Sequence, residues 1–201
     1  MSSVLDLLNA QLGAGGLEAI SRRLGIDPQT AQNAVAGAIP ILTGAMARNA
    51  SHPAGAAALD QALQRHDGSL LDRAMDYLGQ GDTSDGAGIL GHILGGRQDT
   101  AATGLAQATG LDAGTAGRLL MMLAPLVLGA IGRTRNEQGL DPGDLAGMLR
   151  AEHDRAQSAA PSGVLGALSG MLDANHDGSV MDDVARMGGG LLGDLFGGGR
   201  R

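Results

Sequence analysis

The amino-acid sequence predicts an all-α protein, a pseudo-duplicated multi-helix bundle packed as one globular unit. The first observation is a repeat, because residues 27–48 recur almost intact as residues 112–133. The second is the core material: 43% of the chain is apolar, but it has one Tyr, one Phe and no Trp, so aliphatic side chains must fill the interior. The third is the 35 glycines. Since each costs about 0.5–1 kcal/mol relative to Ala inside a helix, many are expected at helix ends and between short helices.

Each copy of the repeat is predicted to form a central, buried helix that an aspartate opens and a proline interrupts. In the first copy Asp27 is suited to the N-cap and Pro28 to the first turn. Pro40 is expected to kink or split this helix, because proline removes a hydrogen bond and clashes with the preceding turn. Matching residues lie 85 positions apart. They are Asp27 with Asp112, Thr30-Ala31 with Thr115-Ala116, Pro40 with Pro125, Gly44-Ala45 with Gly129-Ala130, and Arg48 with Arg133.

The other elements of the first half, residues 1–98, follow from apolar periodicity and glycine breaks. Residues 3–12 and 17–24 are predicted helices separated by a glycine link, and Gly25 is suited to end the second one in the left-handed conformation. After the central helix, helices are expected at residues 54–63, 70–78 and 88–94, with an exposed loop at residues 79–84.

The second half, residues 99–201, repeats this order with one insertion. A helix at residues 100–109 takes the place of residues 17–24. After the second central helix, residues 133–140 are interpreted as a polar connection to an inserted charged helix at residues 145–157, which Asp141 opens. The remaining features are a helix at residues 162–172, a calcium-like loop and a glycine-rich tail at residues 188–201.

Charge and composition argue against several classes of function. The formal net charge is −7 and the 14 basic residues, all arginines, are scattered, so the basic face of a nucleic-acid-binding protein is not expected. There is no Cys, hence no thiolate metal site. The first residues lack a secretory signal pattern, which favours a cytoplasmic location. The longest apolar run, residues 119–131, is shorter than the roughly 20 residues of a transmembrane helix and is expected to be a buried core helix.

One motif carries chemistry, an EF-hand-like calcium loop in the second half. Asp173, Asn175 and Asp177 stand at the first, third and fifth positions, where such loops place oxygen ligands. Gly178 occupies the sixth position, where the chain must turn sharply, and Ser179 offers its backbone carbonyl at the seventh. Because hard oxygen ligands favour Ca²⁺ or Mg²⁺ over softer metals, the loop predicts a Ca²⁺ site.

The loop departs from the calcium pattern at the twelfth position, where Val184 replaces the bidentate Glu. Asp182 or Asp183 must then close the site, and we expect weaker affinity and altered selectivity. The alternative is a metal-free turn in which Asp173 or Asp177 caps the following helix.

The first half carries a degenerate copy of this loop. The sequence His-Asp-Gly-Ser at residues 66–69 recurs at residues 176–179. Leu63 and Arg65 replace the first two ligands, and only Asp67 and Asp72 remain as carboxylates. This copy is therefore not expected to bind calcium, and a guanidinium can occupy the position of the cation.

A second interpretation of the first half is a DNA-binding regulator. Residues 19–35 have the pattern of a helix-turn-helix, with an apolar helix, a short turn and a second helix. In such a motif, exposed side chains of the second helix would contact the DNA bases. The second copy is almost wholly apolar where a recognition helix must be solvated, so structural packing is favoured. The candidate DNA contacts are Arg22, Arg23, Gln29 and Gln32.

The sequence contains no recognisable catalytic constellation, and we expect a protein that is not an enzyme. Glu152, His153 and Asp154 are adjacent, so their side chains diverge on a helix and form no triad. The chain has no lysine, which excludes a Walker phosphate-binding loop.

Several motifs in combination resemble those of a known bacterial family. They are LLNAQLG, LGIDPQTAQNAVAGAIP, HDGSLLD and GILGHILG. Over roughly residues 1–135 the chain resembles the YidB-like group, domain of unknown function 937. The resemblance implies a cytosolic, mostly helical bacterial protein without an established activity, and it brings no catalytic residues.

These observations favour a structural or protein-interaction module. Apolar helices lined by Gly and Ala are expected at residues 88–94 and 189–196. They are candidate surfaces for self-association or for a protein partner.

Overall fold

The computed structural model describes residues 4–66, 68–80 and 83–159, apart from the side chains of residues 5 and 9. Within these ranges the secondary structure is helical and contains no strand, so the predicted all-α class is confirmed. Short 3₁₀ segments lie at Leu71–Arg73 and Gly95–Arg97. The α-helices are α1 (Val4–Leu24), α2 (Pro28–Ala50), α3 (Pro53–Arg65), α4 (Ala74–Gln80), α5 (Ser84–Leu94), α6 (Gln98–Thr109), α7 (Ala113–Gln138) and α8 (Pro142–Ala159).

α1 is broken at a single glycine. Gly13 has φ 45° and ψ −159°, outside the helical region, so residues 4–12 and 14–24 are two helices in direct succession. Any other residue would be strained at this φ, although there is open space around the position. The predicted pair of helices is confirmed, but the link between them is narrower than expected.

The helices that precede α2 and α7 end in the same way. Gly25 (φ 68°) and Gly110 (φ 74°) adopt the left-handed conformation that glycine tolerates. The residue after each glycine donates its backbone N–H to a carbonyl of the last turn at 3.1 Å. These bonds join Ile26 to Ser21 and Leu111 to Ala106.

Both central helices begin at the predicted aspartates. Asp27 Oδ1 accepts a hydrogen bond from the backbone N–H of Thr30 at 2.9 Å, and Asp112 Oδ1 accepts one from Thr115 at 2.9 Å. Each bond satisfies one of the backbone N–H groups that the start of a helix leaves unpaired. Both predicted N-caps are confirmed.

α2 and α7 continue through their prolines. Pro40 and Pro125 lie inside unbroken helices, so the predicted splitting is wrong, while a kink at each stays a prediction. In α2 every residue from 37 to 47 is buried. Packing around the whole circumference can therefore offset the hydrogen bond that proline removes.

α7 is longer than the sequence predicted. The expected polar connection at residues 133–140 is wrong, because α7 runs to Gln138 and ends at Gly139, whose φ is 62°. The buried Thr134 hydroxyl donates to the Ala130 carbonyl at 3.0 Å. Arg135 pairs with Asp60 of α3 at 2.6 Å. The Thr134 bond lies within α7, and the Arg135–Asp60 pair joins the extended helix to α3.

α2 and α7 form the centre of the bundle. They pack on each other, α8 covers one side of α2, and α5 and α6 cover α7. α1 packs on both central helices, and α3 contacts α2, α7 and α8. Elements from both predicted halves therefore share one hydrophobic core.

α7 has the length and composition of a membrane span, with 26 residues and a mean hydropathy of 1.6 over its most apolar window. The prediction that length excludes such a span is therefore wrong. Burial decides the matter instead, because 78% of that window is buried inside the protein. The predicted core helix is confirmed.

The remaining predicted helices within the described residues are present with shifted ends, and the helix predicted at residues 162–172 lies outside those residues. α3, α5 and α6 each begin before their predicted starts, and the helix expected at residues 70–78 is the 3₁₀ segment Leu71–Arg73 followed by α4. The charged helix α8 begins at Asp141, whose Oδ1 accepts from the backbone N–H groups of Gly143 at 2.7 Å and Asp144 at 2.9 Å.

Candidate functional site

The degenerate loop that follows α3 lies against α7. The backbone N–H of His66 donates to the Ala62 carbonyl at 3.1 Å and closes α3. Gly68 has φ 94°, a conformation that favours glycine. The Leu71 N–H then donates to the Gly68 carbonyl at 3.0 Å and begins the 3₁₀ segment. The predicted turn at Gly68 is confirmed.

Glycines on both sides allow this loop to touch the helix. A Cβ on Gly132 would lie 2.1 Å from the His66 carbonyl oxygen, closer than any real contact. A Cβ on Gly68 would lie 2.8 Å from Arg133 Cβ and 3.1 Å from the Gly129 carbonyl oxygen. The approach of loop and helix therefore requires that Gly132 and Gly68 carry no side chain.

Arg133 holds the loop with one guanidinium nitrogen. Its Nη2 donates to the Gly68 carbonyl at 2.8 Å and to Asp72 Oδ1 at 2.8 Å. The Arg133 side chain is 22% exposed, whereas that of Asp72 is 62% exposed. A cationic group is thus bound by a backbone carbonyl and a carboxylate. These are the ligand types of a calcium loop.

The substituted ligand positions of this first loop have different environments. Leu63 is fully buried, and Arg65 is exposed on α3. The guanidinium that contacts this loop is that of Arg133, supplied by the other central helix.

The calcium-like loop itself falls outside the described residues. Its predicted ligands, Asp173, Asn175, Asp177, Ser179, Asp182 and Asp183, stay predictions, as does the helix at residues 189–196. Across residues 4–66, 68–80 and 83–159 no group of three or more His, Asp or Glu side chains is arranged to hold a metal ion.

An open groove of about 770 Å³ lies between α3 and α5, and we refer to it as the α3–α5 groove. Leu59, Ile93 and Leu128 are buried and form its apolar floor. Its volume lies within the roughly 300–1,000 Å³ of typical ligand clefts. The polar residues along its walls include Gln61, Arg65, His66, Asp85 and His92.

Two buried carboxylates join helices and lie outside this groove. Glu152 of α8 accepts from the backbone N–H of Val4 at 2.7 Å and from Arg155. Asp60 of α3 pairs with Arg135 of α7. Both carboxylates bind groups on the helices that they connect, so we assign them a structural role and no catalytic one.

The Glu152-His153-Asp154 sequence forms no triad in space. His153 Nδ1 lies 3.0 Å from the Pro40 carbonyl oxygen, and the ring packs against Gly44. Asp154 is exposed. The predicted divergence of these side chains is confirmed.

The helix-turn-helix residues lie on the surface where α1 meets α2. Arg22, Arg23, Gln29 and Gln32 are all exposed. The Gln29 amide donates to Gln32 Oε1 at 3.4 Å and so is partly engaged within its own helix.

A family described as "bacterial protein of unknown function", domain of unknown function 937, matches residues 6–134. The chain belongs to this family. The matched range of the domain of unknown function 937 family includes the first loop and Arg133, whereas α8 and residues 173–183 lie beyond it. No curated protein and no solved structure matches the chain.

Sequence reasoning missed both the role of Arg133 and the α3–α5 groove. The repeat had marked Arg133 through its match with Arg48, but Arg48 has a different environment. Partial burial and the nearby charge of Arg97 lower the pKa of Arg48. The match indicated a position of interest and could not identify its partner, since Gly68 lies 65 residues away in the sequence.

Proposed function

We propose that this protein is a non-enzymatic structural or interaction module that binds Ca²⁺ weakly in the loop at residues 173–183. The observation that carries the proposal is the contact of the Arg133 guanidinium with Gly68 and Asp72. Gly68 and Asp72 stand at the sixth and tenth positions, so the contact supports binding of a cation by oxygen atoms of this loop and does not reproduce the calcium ligand positions. The second loop is the copy with more oxygen ligands.

The second loop has more ligands than the first. Gly178 and Asp182 correspond to Gly68 and Asp72 by their spacing from the His-Asp-Gly-Ser sequence. Asp173 and Asn175 replace the unsuitable residues of the first copy. Additional carboxylate and amide oxygens favour a divalent ion over a guanidinium, while the absent twelfth-position Glu predicts affinity in the range of about 10⁻⁴–10⁻³ M.

The proposal includes an internal duplication, supported by matching local geometry. The glycine ends at Gly25 and Gly110 and the caps at Asp27 and Asp112 keep the separation of 85 residues. Two copies of one helical unit would keep the same glycine end and the same aspartate cap at a constant separation, which agrees with these observations.

Calorimetric titration of the metal-stripped full chain with Ca²⁺ and then Mg²⁺ tests the ion site. We expect heat of binding with Ca²⁺ in the wild type, none in Asp177→Ala, and retained binding in the matched variant Asp67→Ala. Ligand at ten times its dissociation constant should add about 1.4 kcal/mol to stability and raise the melting temperature. A flat trace at millimolar Ca²⁺ would reduce the loop to a capped turn.

A second candidate function is DNA binding through α1 and α2, which the exposure of Arg22, Arg23, Gln29 and Gln32 favours. A gel shift on random DNA at low and high salt tests it. A salt-dependent shift that Arg22→Ala/Arg23→Ala abolishes would establish this alternative. The formal charge of −7 leads us to expect no shift.

The interaction role concerns a protein partner or a second copy of this chain in the cytoplasm. In α5 the apolar side chains Leu90, Ile93 and Leu94 are buried in the bundle, while Gly88 and Gly91 are exposed. Any partner therefore meets α5 through its glycine-lined side and the neighbouring α3–α5 groove.

A further inference from the structure

We infer that the α3–α5 groove is the docking site for the chain's own residues 191–196. The inference extends the proposed interaction role and rests on it. It commits to an intramolecular occupant and needs no calcium, so its failure and that of the ion site can be told apart.

The groove has the form of a site for an amphipathic helix. Two helices form its walls, and between them lies an apolar floor that includes the fully buried Leu128 of α7. Ala62 and Ile89 are half-buried on opposite walls. A Cβ on Gly88 would meet nothing within 4 Å, so this wall leaves room for a neighbouring backbone. Helix-in-groove recognition uses such an apolar channel with polar edges.

Residues 191–196 have the matching pattern. The sequence Leu-Leu-Gly-Asp-Leu-Phe places apolar residues at positions 191, 192, 195 and 196, which share one face of a helix. Phe196 is the one phenylalanine of the chain.

The charges are complementary as well. Arg65, His66 and His92 line the groove, against one acid, Asp85. The segment brings one acid, Asp194, and has no basic residue. Asp194 would pair with Arg65 at the edge, while the leucines face the floor.

Connectivity favours the chain's own segment over a second copy. Residues 160–190 supply 31 residues between α8 and the segment, enough to extend about 100 Å. A compact protein of 201 residues has a radius of gyration of about 16 Å, so the segment can reach the groove. A tethered segment has an effective concentration in the mM range at the groove. The same segment from a second chain reaches that concentration only when the protein itself is at mM concentration.

Paired cysteines in the full-length protein test this docking, because the chain has no native Cys. In Ala62→Cys/Leu195→Cys, mild oxidation should close a disulfide within one chain. The matched control is Thr103→Cys/Leu195→Cys, which places the partner cysteine on the exposed face of α6. We expect the groove pair to form its disulfide at least about tenfold faster, since docking raises the local concentration above that of a free tether.

Added substitutions separate docking from chance encounter. Ile89→Asp or Ala58→Asp in the groove pair should slow the disulfide to the control rate, because each places a carboxylate in the apolar channel. Ala87→Asp, on the exposed side of α5, should leave the rate unchanged. Ala58 is exposed, so its variant keeps the test valid if Ile89→Asp unfolds.

Three outcomes overturn the proposal. They are equal rates in the groove and control pairs, a groove rate insensitive to both aspartates, and a disulfide-linked dimer as the main product on a non-reducing gel. The last would assign the groove to a second copy of the chain.

Discussion

At the scale of single residues, a few glycines decide how closely the chain approaches itself. A Cβ on Gly132 would lie 2.1 Å from the His66 carbonyl oxygen, and one on Gly86 would lie 1.8 Å from that of Met121. Backbone oxygens cannot move aside as the tip of a long side chain can. These positions are therefore restricted by contact, whereas Gly13 is restricted by its φ.

Gly132→Ala is expected to lower the free energy of unfolding by about 1–3 kcal/mol, because the methyl group forces the first loop away from α7. Gly147→Ala is the matched control, an exposed glycine inside α8 with open space around it. It should leave stability unchanged or raise it by up to about 1 kcal/mol, as expected for Gly to Ala in a helix. Urea denaturation of both variants measures the difference. Equal midpoints would contradict the close contact at Gly132.

At the scale of elements, short-range bonds set where several helices begin, and left-handed glycines set where α1, α6 and α7 end. Asp27, Asp112 and Asp141 each cap the helix that follows with a side-chain oxygen. α7 passes its predicted end and closes at Gly139, while Arg135 pairs with Asp60 of α3. Both these starts and the glycine ends are therefore local, and the ion pair of Arg135 adds a tertiary contact near the end of α7.

The caps predict a dependence of stability on acidic pH. Hydrogen bonds from the side chain and backbone of Thr30 lower the pKa of Asp27 below its ordinary value of 3.8, and those from Thr115 do the same for the pKa of Asp112. The stabilisation is therefore complete above the ordinary aspartate range and is lost as the pH falls through the lowered pKa values. In Asp27→Ala/Asp112→Ala the melting temperature should fall at neutral pH and vary less below about pH 4.

The control for this pH experiment is Asp154→Ala, since Asp154 is exposed in the interior of α8. Its melting temperature should follow that of the wild type at every pH. If the melting temperature of the double variant also fell with acidic pH as it does in the wild type, the two caps would not account for the loss of stability at acidic pH.

At the scale of the whole molecule, contacts between distant parts of the sequence join the two predicted halves. The Glu152 carboxylate of α8 accepts from the Val4 N–H at the start of α1, 148 residues earlier, and Glu152 is 4% exposed. Arg133 of α7 joins the loop after α3 in a similar way. Such contacts make the first and last described helices depend on each other.

Glu152→Ala is expected to destabilise the protein by about 1–3 kcal/mol, since it leaves the buried Val4 N–H without its acceptor. Hydrogen exchange should increase first at the start of α1, far from the substitution in sequence. Glu137→Ala, at an exposed position in the last turn of α7, is the control and should change neither quantity. Unchanged exchange in α1 of Glu152→Ala would contradict the role of Glu152 as its cap.

The sequence by itself determined the helical class, the capped starts of α2 and α7, the break in α1 and the burial of the central helices. These depend on local chemistry: an aspartate before a helix, a glycine that tolerates positive φ, and a run of apolar residues. The family was also recognisable from short motifs, and the match over residues 6–134 confirmed it. These caps and glycine breaks are retained in the folded protein because the groups that they contact lie within a few residues in the sequence.

Only the tertiary structure decided that Arg135 of α7 pairs with Asp60 of α3, that Arg133 binds the loop at Gly68, and that a groove separates α3 from α5. Each depends on residues brought together from distant parts of the chain. Periodicity reports which face of a helix is apolar and contains no information on which helix covers it. Partner choice is a property of the packed bundle, because shape and burial select among many faces that are equally apolar.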